Sequence, residues 1–164
     1  MNLSASKKGL ITGLLMVAVG ILLYLNKVNE SSGVQFIGYL IYGAGIVWTL
    51  VAFNQKAGGI VKFGELFNQG FRCFVVVTLL MAIFTFAFYK TNNELLDQKA
   101  ALTRQELLKT EKNRTPKEID EMIENGKKNF AVFATSGAIF QYLFIGAIVT
   151  MATSGLLFLR NKKS

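Results

Sequence analysis

The sequence has 164 residues, of which 52% are hydrophobic, and it contains 14 phenylalanines, 15 glycines, one proline and no histidine. The apolar residues are gathered in long uncharged runs, which the short elements of a water-soluble core do not need, so the composition excludes an ordinary soluble domain. The net charge of +8, from 18 Lys and Arg against 10 Asp and Glu, raises nucleic acid or an anionic membrane surface as a partner. The positions of the charges decide between these two.

The first uncharged run covers residues 9–25 and predicts a transmembrane helix. At about 1.5 Å per residue it spans about 26 Å, near the lower limit for a hydrocarbon core of about 30 Å. Lys7 and Lys8 precede it, as lysines would in a secretory signal. The run ends in Leu-Tyr-Leu-Asn rather than in small residues at a cleavage site, so we expect an uncleaved helix.

Three further apolar runs predict three further spans, over residues 34–53, 71–89 and 137–159. Trp48 near the end of the second span suits a headgroup boundary. The last uncharged run already begins at residue 130, so we expect this helix to tilt or to project beyond the bilayer. The predicted fold class is an all-α integral membrane four-helix bundle, with one membrane domain over residues 1–164.

Between the second and third spans, residues 60–72 predict an amphipathic helix that lies along the membrane interface and runs into the third span. In a helical arrangement its phenylalanines fall on one face and its polar residues on the other. One interpretation is an anchor for the third span, and the other is a gate or a partner-docking surface. The candidate contact or gate residues are Phe63, Glu65, Phe67, Gln69 and Arg72.

The loop over residues 90–129 predicts an extramembrane helical hairpin between the third and fourth spans. Leucines recur at helical spacing among alternating charges in its first half. Thr115, Pro116 and Glu118 then supply a capping residue, a proline at the first helical position and a glutamate at the third. Two interpretations stay open: a plain connection, or a partner-binding hairpin that would explain a length well beyond what a connection needs.

Small residues at helical spacing mark positions where helices can pack closely. They favour packing within the bundle, and an interface between copies of the chain is the alternative. The candidate packing residues are Gly9, Gly13, Gly146, Thr150 and Ser154.

The charges predict the orientation in the membrane. Four spans place both termini on one side, where eight Lys and Arg face one carboxylate, whereas the other side carries ten against nine. The positive-inside rule then predicts cytoplasmic N and C termini. The excess charge is therefore an orientation signal and an attraction to anionic headgroups, and no nucleic-acid partner is expected.

The segment FGELFNQGF, residues 63–71, lies between the second and third spans and is followed by a charged loop and a fourth span. This segment in this layout resembles domain-of-unknown-function family 4199. The resemblance covers nearly the whole chain in layout and these nine residues in motif. It implies a small four-span protein of a bacterial inner (plasma) membrane, and it implies no reaction, because the family has no established activity.

Catalytic chemistry is poorly supported by the sequence. No ionisable residue lies in the middle of any span, which disfavours a pump or an ion-coupled carrier. There is no histidine, no metal-ligand spacing and no nucleophile beside a base, so we expect no enzyme activity, metal site or cofactor. Cys73, the single cysteine, is either an acylation site or, more simply, a small packing residue.

Two functions remain. The first is a non-enzymatic membrane protein, embedded in the lipid bilayer, that acts by association with a membrane-protein partner or with itself. The alternative is a passive or facilitated transporter of an uncharged or lipid-like molecule, with a path between the second and fourth spans. A cavity reaching Gln141, Tyr42 or Thr150 would favour the transporter, and a tightly packed interior would argue against it.

Overall fold

The computed structural model describes residues 3–27, 33, 35–111 and 113–163, and the regular structure in these ranges is entirely helical. The helices in chain order are α1 (Ala5–Leu25), α2 (Gln35–Lys56), α3 (Phe63–Thr91), α4 (Asn93–Thr110) and α5 (Pro116–Lys163). By length and composition, α1, α2, α3 and α5 can each cross a membrane. The protein is therefore an all-α membrane protein with four spanning helices, as the sequence predicts. Val34, the predicted start of the second span, lies outside the described residues.

The predicted interfacial helix over residues 60–72 is not a separate element. Residues 60–62 are not helical, and α3 begins at Phe63 and continues without a break to Thr91. The polar segment forms the first turns of a 29-residue helix. At 1.5 Å per residue this helix is about 43 Å long, more than the hydrocarbon core, so part of it lies beyond the core. From Phe63 onward the helix is not interrupted, and neither Gly64 nor Gly70 has a positive φ.

One compact unit consists of Met1–Met81 and Ala138–Ser164. Its core is built from side chains that are fully buried on three helices: Tyr42, Ile46 and Leu50 on α2, Leu66 and Val77 on α3, and Thr150 on α5. The buried stripe of α3 runs from Leu66 through Gly70 and Cys73 to Val77, at steps of three and four residues. Phe63 and Phe71 lie outside this stripe and are 40% and 47% exposed. These two phenylalanines are therefore exposed, whereas Phe74 of the same helix is 3% exposed.

Glycines bring the helices of this unit into close contact. A Cβ at Gly9 on α1 would lie 2.5 Å from the carbonyl oxygen of Cys73 on α3. Gly146 on α5 packs against the hydroxyl of Tyr42 and the ring of Phe74. The remaining close pairs are Gly13 with Leu80, Gly45 with Thr12 and Gly70 with Thr150. Without a hydrophobic driving force between helices in lipid, such close packing is a main source of association.

The second compact unit is Ala82–Gly137 and contains the hairpin. Leu96 on α4 and Ile119 on α5 are 7% and 1% exposed and form its small core. Arg104 donates two hydrogen bonds to Asp120, of 2.5 and 3.1 Å, and Lys127 pairs with Asp97. These pairs join α4 to α5 in an antiparallel register. The segment is a helical hairpin, as predicted.

The start of α5 follows the predicted capping box. Thr115 Oγ1 accepts a hydrogen bond from the backbone N–H of Glu118 at 3.3 Å. In return, the Glu118 carboxylate accepts from the backbone N–H and the hydroxyl of Thr115, at 2.7 and 2.9 Å. These bonds satisfy backbone donors that a helix start leaves free, so α5 begins at Pro116.

Candidate functional site

The structure divides the predicted contact or gate residues into three groups. Phe63 and Phe67 stack on each other with ring centroids 6.2 Å apart. Glu65 accepts a hydrogen bond of 3.0 Å from the backbone N–H of Lys62 and so caps the start of α3. Gln69 and Arg72 line a cavity. The five residues therefore do not form one surface, and Gln69 and Arg72 line a space that a ligand could enter.

This cavity has a volume of about 670 Å³ and lies between the start of α1, the second half of α2 and the first turns of α3. Its charged lining residues are Lys8, Lys56 and Arg72. Leu3, Trp48 and Phe53 supply apolar walls, and the remaining lining residues are small or polar. We refer to it as the basic cavity. Its volume is typical of small-molecule sites, which are roughly 300–1,000 Å³.

Lys8 is the least exposed of the three cations, at 8%. Its Nζ lies 5.3 Å from the centroid of the Trp48 ring, which is a cation–π distance. The lining contains no Asp or Glu among the residues whose placement is described. Lys8, Lys56 and Arg72 form no ion pair with a carboxylate among the described residues. The basic cavity is therefore a site of concentrated, uncompensated positive charge.

The sequence analysis missed Lys8 and Lys56 as site residues. A signal was available, because Lys8, Lys56 and Arg72 are all among the eight Lys and Arg that the charge count places on the side of the termini. The contact that gathers them depends on how α1, α2 and α3 pack, and a single sequence does not reveal that packing.

Helices α2 and α5 are in direct contact at two places. The Tyr42 hydroxyl donates a hydrogen bond of 2.8 Å to the carbonyl oxygen of Tyr142, and the two rings meet edge to face at 5.4 Å. The side-chain amides of Asn54 and Asn161 exchange two hydrogen bonds, of 3.2 and 2.7 Å. Gln141, one of the residues at which a cavity would favour a transporter, is exposed on α5.

The predicted packing residues lie at contacts within the chain. Gly9 and Gly13 face α3, and Gly146 faces both α2 and α3. Thr150 and Ser154 are fully buried, and neither hydroxyl has a hydrogen-bond partner in the described residues. Their small size, rather than their hydroxyl groups, therefore explains their place in the bundle.

Cys73 behaves as a packing residue. It is fully buried, and its sulfur accepts a hydrogen bond of 3.3 Å from the hydroxyl of Thr49. A thiol in this position is not accessible for acylation. Within the described ranges, no three His, Cys, Asp or Glu residues are grouped closely enough to hold a metal ion.

No curated protein and no solved structure matches the chain. A protein-family model described as a protein of unknown function (DUF4199) matches residues 7–160, which include all five helices in whole or in large part. The chain therefore belongs to the DUF4199 family of proteins of unknown function.

Proposed function

We propose that this protein is a non-enzymatic integral membrane protein that acts by association, either with a membrane-protein partner or with a second copy of itself. The observation that supports this most is the hairpin. Residues 82–137 have their own buried core and two ion pairs between α4 and α5, whereas a connection between two spans needs only a few residues. A built unit of this kind suits a contact surface.

The hairpin also carries apolar side chains that its own core does not use. Leu102 on α4 is 63% exposed, and Leu108 and Met122 are 43% and 42% exposed. The surrounding helix surface is charged. A partner that covers these side chains would remove apolar surface from water, and burying one Leu side chain contributes roughly 1.5–3 kcal/mol.

The chemistry of the described side chains gives more support to association than to catalysis. The only thiol is buried against Thr49. Asp97 and Asp120 of the hairpin are engaged in ion pairs with Lys127 and Arg104. A transport path between α2 and α5 is likewise less favoured, because Tyr42 fills the space that such a path would need.

We expect the termini in the cytoplasm of a bacterium and the hairpin on the opposite side of the inner membrane. The almost purely positive segments on the side of the termini, with eight Lys and Arg and one carboxylate, support this orientation. The chain with a cysteine introduced at the exposed Gln105 should react with a membrane-impermeant maleimide added outside intact cells. Native Cys73 is buried, so the unsubstituted chain serves as the blank. Reaction only after the cells are opened would reverse the orientation.

Association is tested with a pair of charge-matched variants of α4. Purified in mild detergent, the unsubstituted chain should form a defined homo-oligomer or a complex of fixed stoichiometry, with its mass measured by light scattering. Leu102→Glu should weaken this assembly about tenfold or more, because it replaces an exposed apolar contact by a charge. Gln105→Glu adds the same charge at an exposed polar position and should change assembly little.

A partner-free monomer of the unsubstituted chain would count against the proposal. Equal weakening by Leu102→Glu and Gln105→Glu would place the contact elsewhere than at Leu102.

A further inference from the structure

The basic cavity between α1, α2 and α3 has features that the association proposal does not use. We propose that it binds a phosphate group, carried either by an anionic lipid headgroup or by a free phosphate compound. The two sources share the chemistry of a compact, oxygen-rich anion. This inference is independent of the proposed role of the hairpin, because the cavity residues belong to the other compact unit.

The first argument is the charge of the lining. Lys8, Lys56 and Arg72 come from three different helices and line one space of about 670 Å³. Like charges repel, so gathering three cations without a carboxylate costs stability in the empty state. An anion in the cavity removes this repulsion and gains a charge-assisted hydrogen bond from each cation it reaches.

The second argument is the burial of Lys8. Lys8 is 8% exposed, and no carboxylate among the described residues forms an ion pair with it. A buried charge is normally paired. The Trp48 ring compensates in part through its π face, at 5.3 Å. A phosphate oxygen in the cavity would supply the missing counter-charge.

The third argument is the start of α1. Ser4, Ala5 and Ser6 line the cavity at the first turn of this helix, with Ser4 as its N-cap. The first backbone N–H groups of a helix lack intrahelical partners and favour anions. This feature adds to the three cations and does not stand alone, and the guanidinium of Arg72 adds the planar pair of donors that matches a phosphate.

Position in the bilayer makes a lipid a natural source of the phosphate. Trp48 and Phe53 form the apolar side of the cavity, and tryptophan prefers the headgroup level of a membrane. Basic pockets between spanning helices on the cytoplasmic side suit anionic headgroups.

The experiment uses the full-length chain, stripped of lipid in detergent, and counts bound lipid by native mass spectrometry. Phosphatidylglycerol and phosphatidylcholine are the probes, and phosphate or pyrophosphate is added as a competitor at constant ionic strength. Phosphatidylglycerol should bind saturably and in preference to phosphatidylcholine. Arg72→Gln and Lys56→Gln should each weaken this binding about fivefold, because each removes one charge-assisted contact to the phosphate.

Lys7→Gln is the matched control. The substitution removes one positive charge, as the other variants do. Lys7 lies next to Lys8 in the chain, but it is exposed and does not line the cavity. Phosphatidylglycerol should bind to Lys7→Gln with an affinity within about twofold of that for the unsubstituted chain. Lys8→Gln should show the largest loss, and the exposed residues Lys56 and Arg72 keep the test decisive if that buried variant fails to fold.

Two outcomes support the site. Lipid binding that phosphate does not displace identifies a headgroup as the source, whereas a rise in the melting temperature with phosphate alone, lost in Arg72→Gln, identifies a free phosphate compound. Two outcomes overturn it. These are equal losses in Lys7→Gln and Arg72→Gln, which would indicate general surface attraction, and binding of neither phosphatidylglycerol nor phosphate.

Discussion

Gly146→Ala is expected to destabilise the bundle by about 3 kcal/mol, through overpacking and the loss of a hydrogen bond. The added methyl group would meet the hydroxyl of Tyr42 and lie 2.8 Å from Cβ of Phe74. A Cβ atom is tied to its backbone and cannot move aside as the end of a flexible side chain can. Displacing Tyr42 would also break its hydrogen bond to the carbonyl oxygen of Tyr142.

Gly155→Ala is the matched control for this prediction. Gly155 lies on the same helix, and a Cβ there would meet nothing within 4 Å. Alanine is the better helix former by about 1 kcal/mol in water, so this variant should be neutral or slightly stabilised. Thermal unfolding of both variants in the same detergent measures the difference. Equal melting temperatures would show that the contact of α5 with Tyr42 and Phe74 is looser than the structure has it.

The sequence predicts the spanning helices and the hairpin well because their signals are local. Runs without charge identify spans by length alone, since a charged group in hydrocarbon is expensive. The start of α5 is equally local, because Thr115, Pro116 and Glu118 satisfy one another within a single turn. Each of these features depends on residues close together in the chain.

Which face of a spanning helix is buried could not be predicted in the same way. In water, the apolar face of a helix turns inward, but in lipid the outer face is apolar as well. The spacing of the α3 phenylalanines therefore does not identify the buried face. Phe63 and Phe71 are exposed, whereas Phe74 is buried on the same side as Gly70 and Cys73. The fit between helix surfaces determines which face of α3 is buried, because Gly70 has no side chain and so allows Thr150 of α5 to approach.

The same reasoning explains the basic cavity and Gln141. Lys8, Lys56 and Arg72 are separated by 48 and 16 positions in the chain, so only the packing of three helices brings them together. Gln141 is the most polar residue of the fourth span and was therefore a candidate for the interior of the bundle. It lies on the exposed side of α5, one turn inside the predicted start of the fourth span, where a tilted helix can bring it to the headgroups.

Ile119→Ala is expected to release α4 from the hairpin, while Leu102→Ala leaves the hairpin intact. Both substitutions delete three carbon atoms, but Ile119 is 1% exposed and Leu102 is 63% exposed. Truncating a buried Ile costs about 2–5 kcal/mol, whereas an exposed Leu contributes little to folding. Hydrogen exchange of the α4 amides should therefore become about a hundredfold faster in Ile119→Ala, with the amides of α1 as the internal reference. Similar rates in the two variants would contradict a packed hairpin core.

If Leu102→Glu abolishes assembly while α4 keeps its protection, the loss belongs to a contact surface, because Ile119→Ala shows what unfolding of the hairpin looks like.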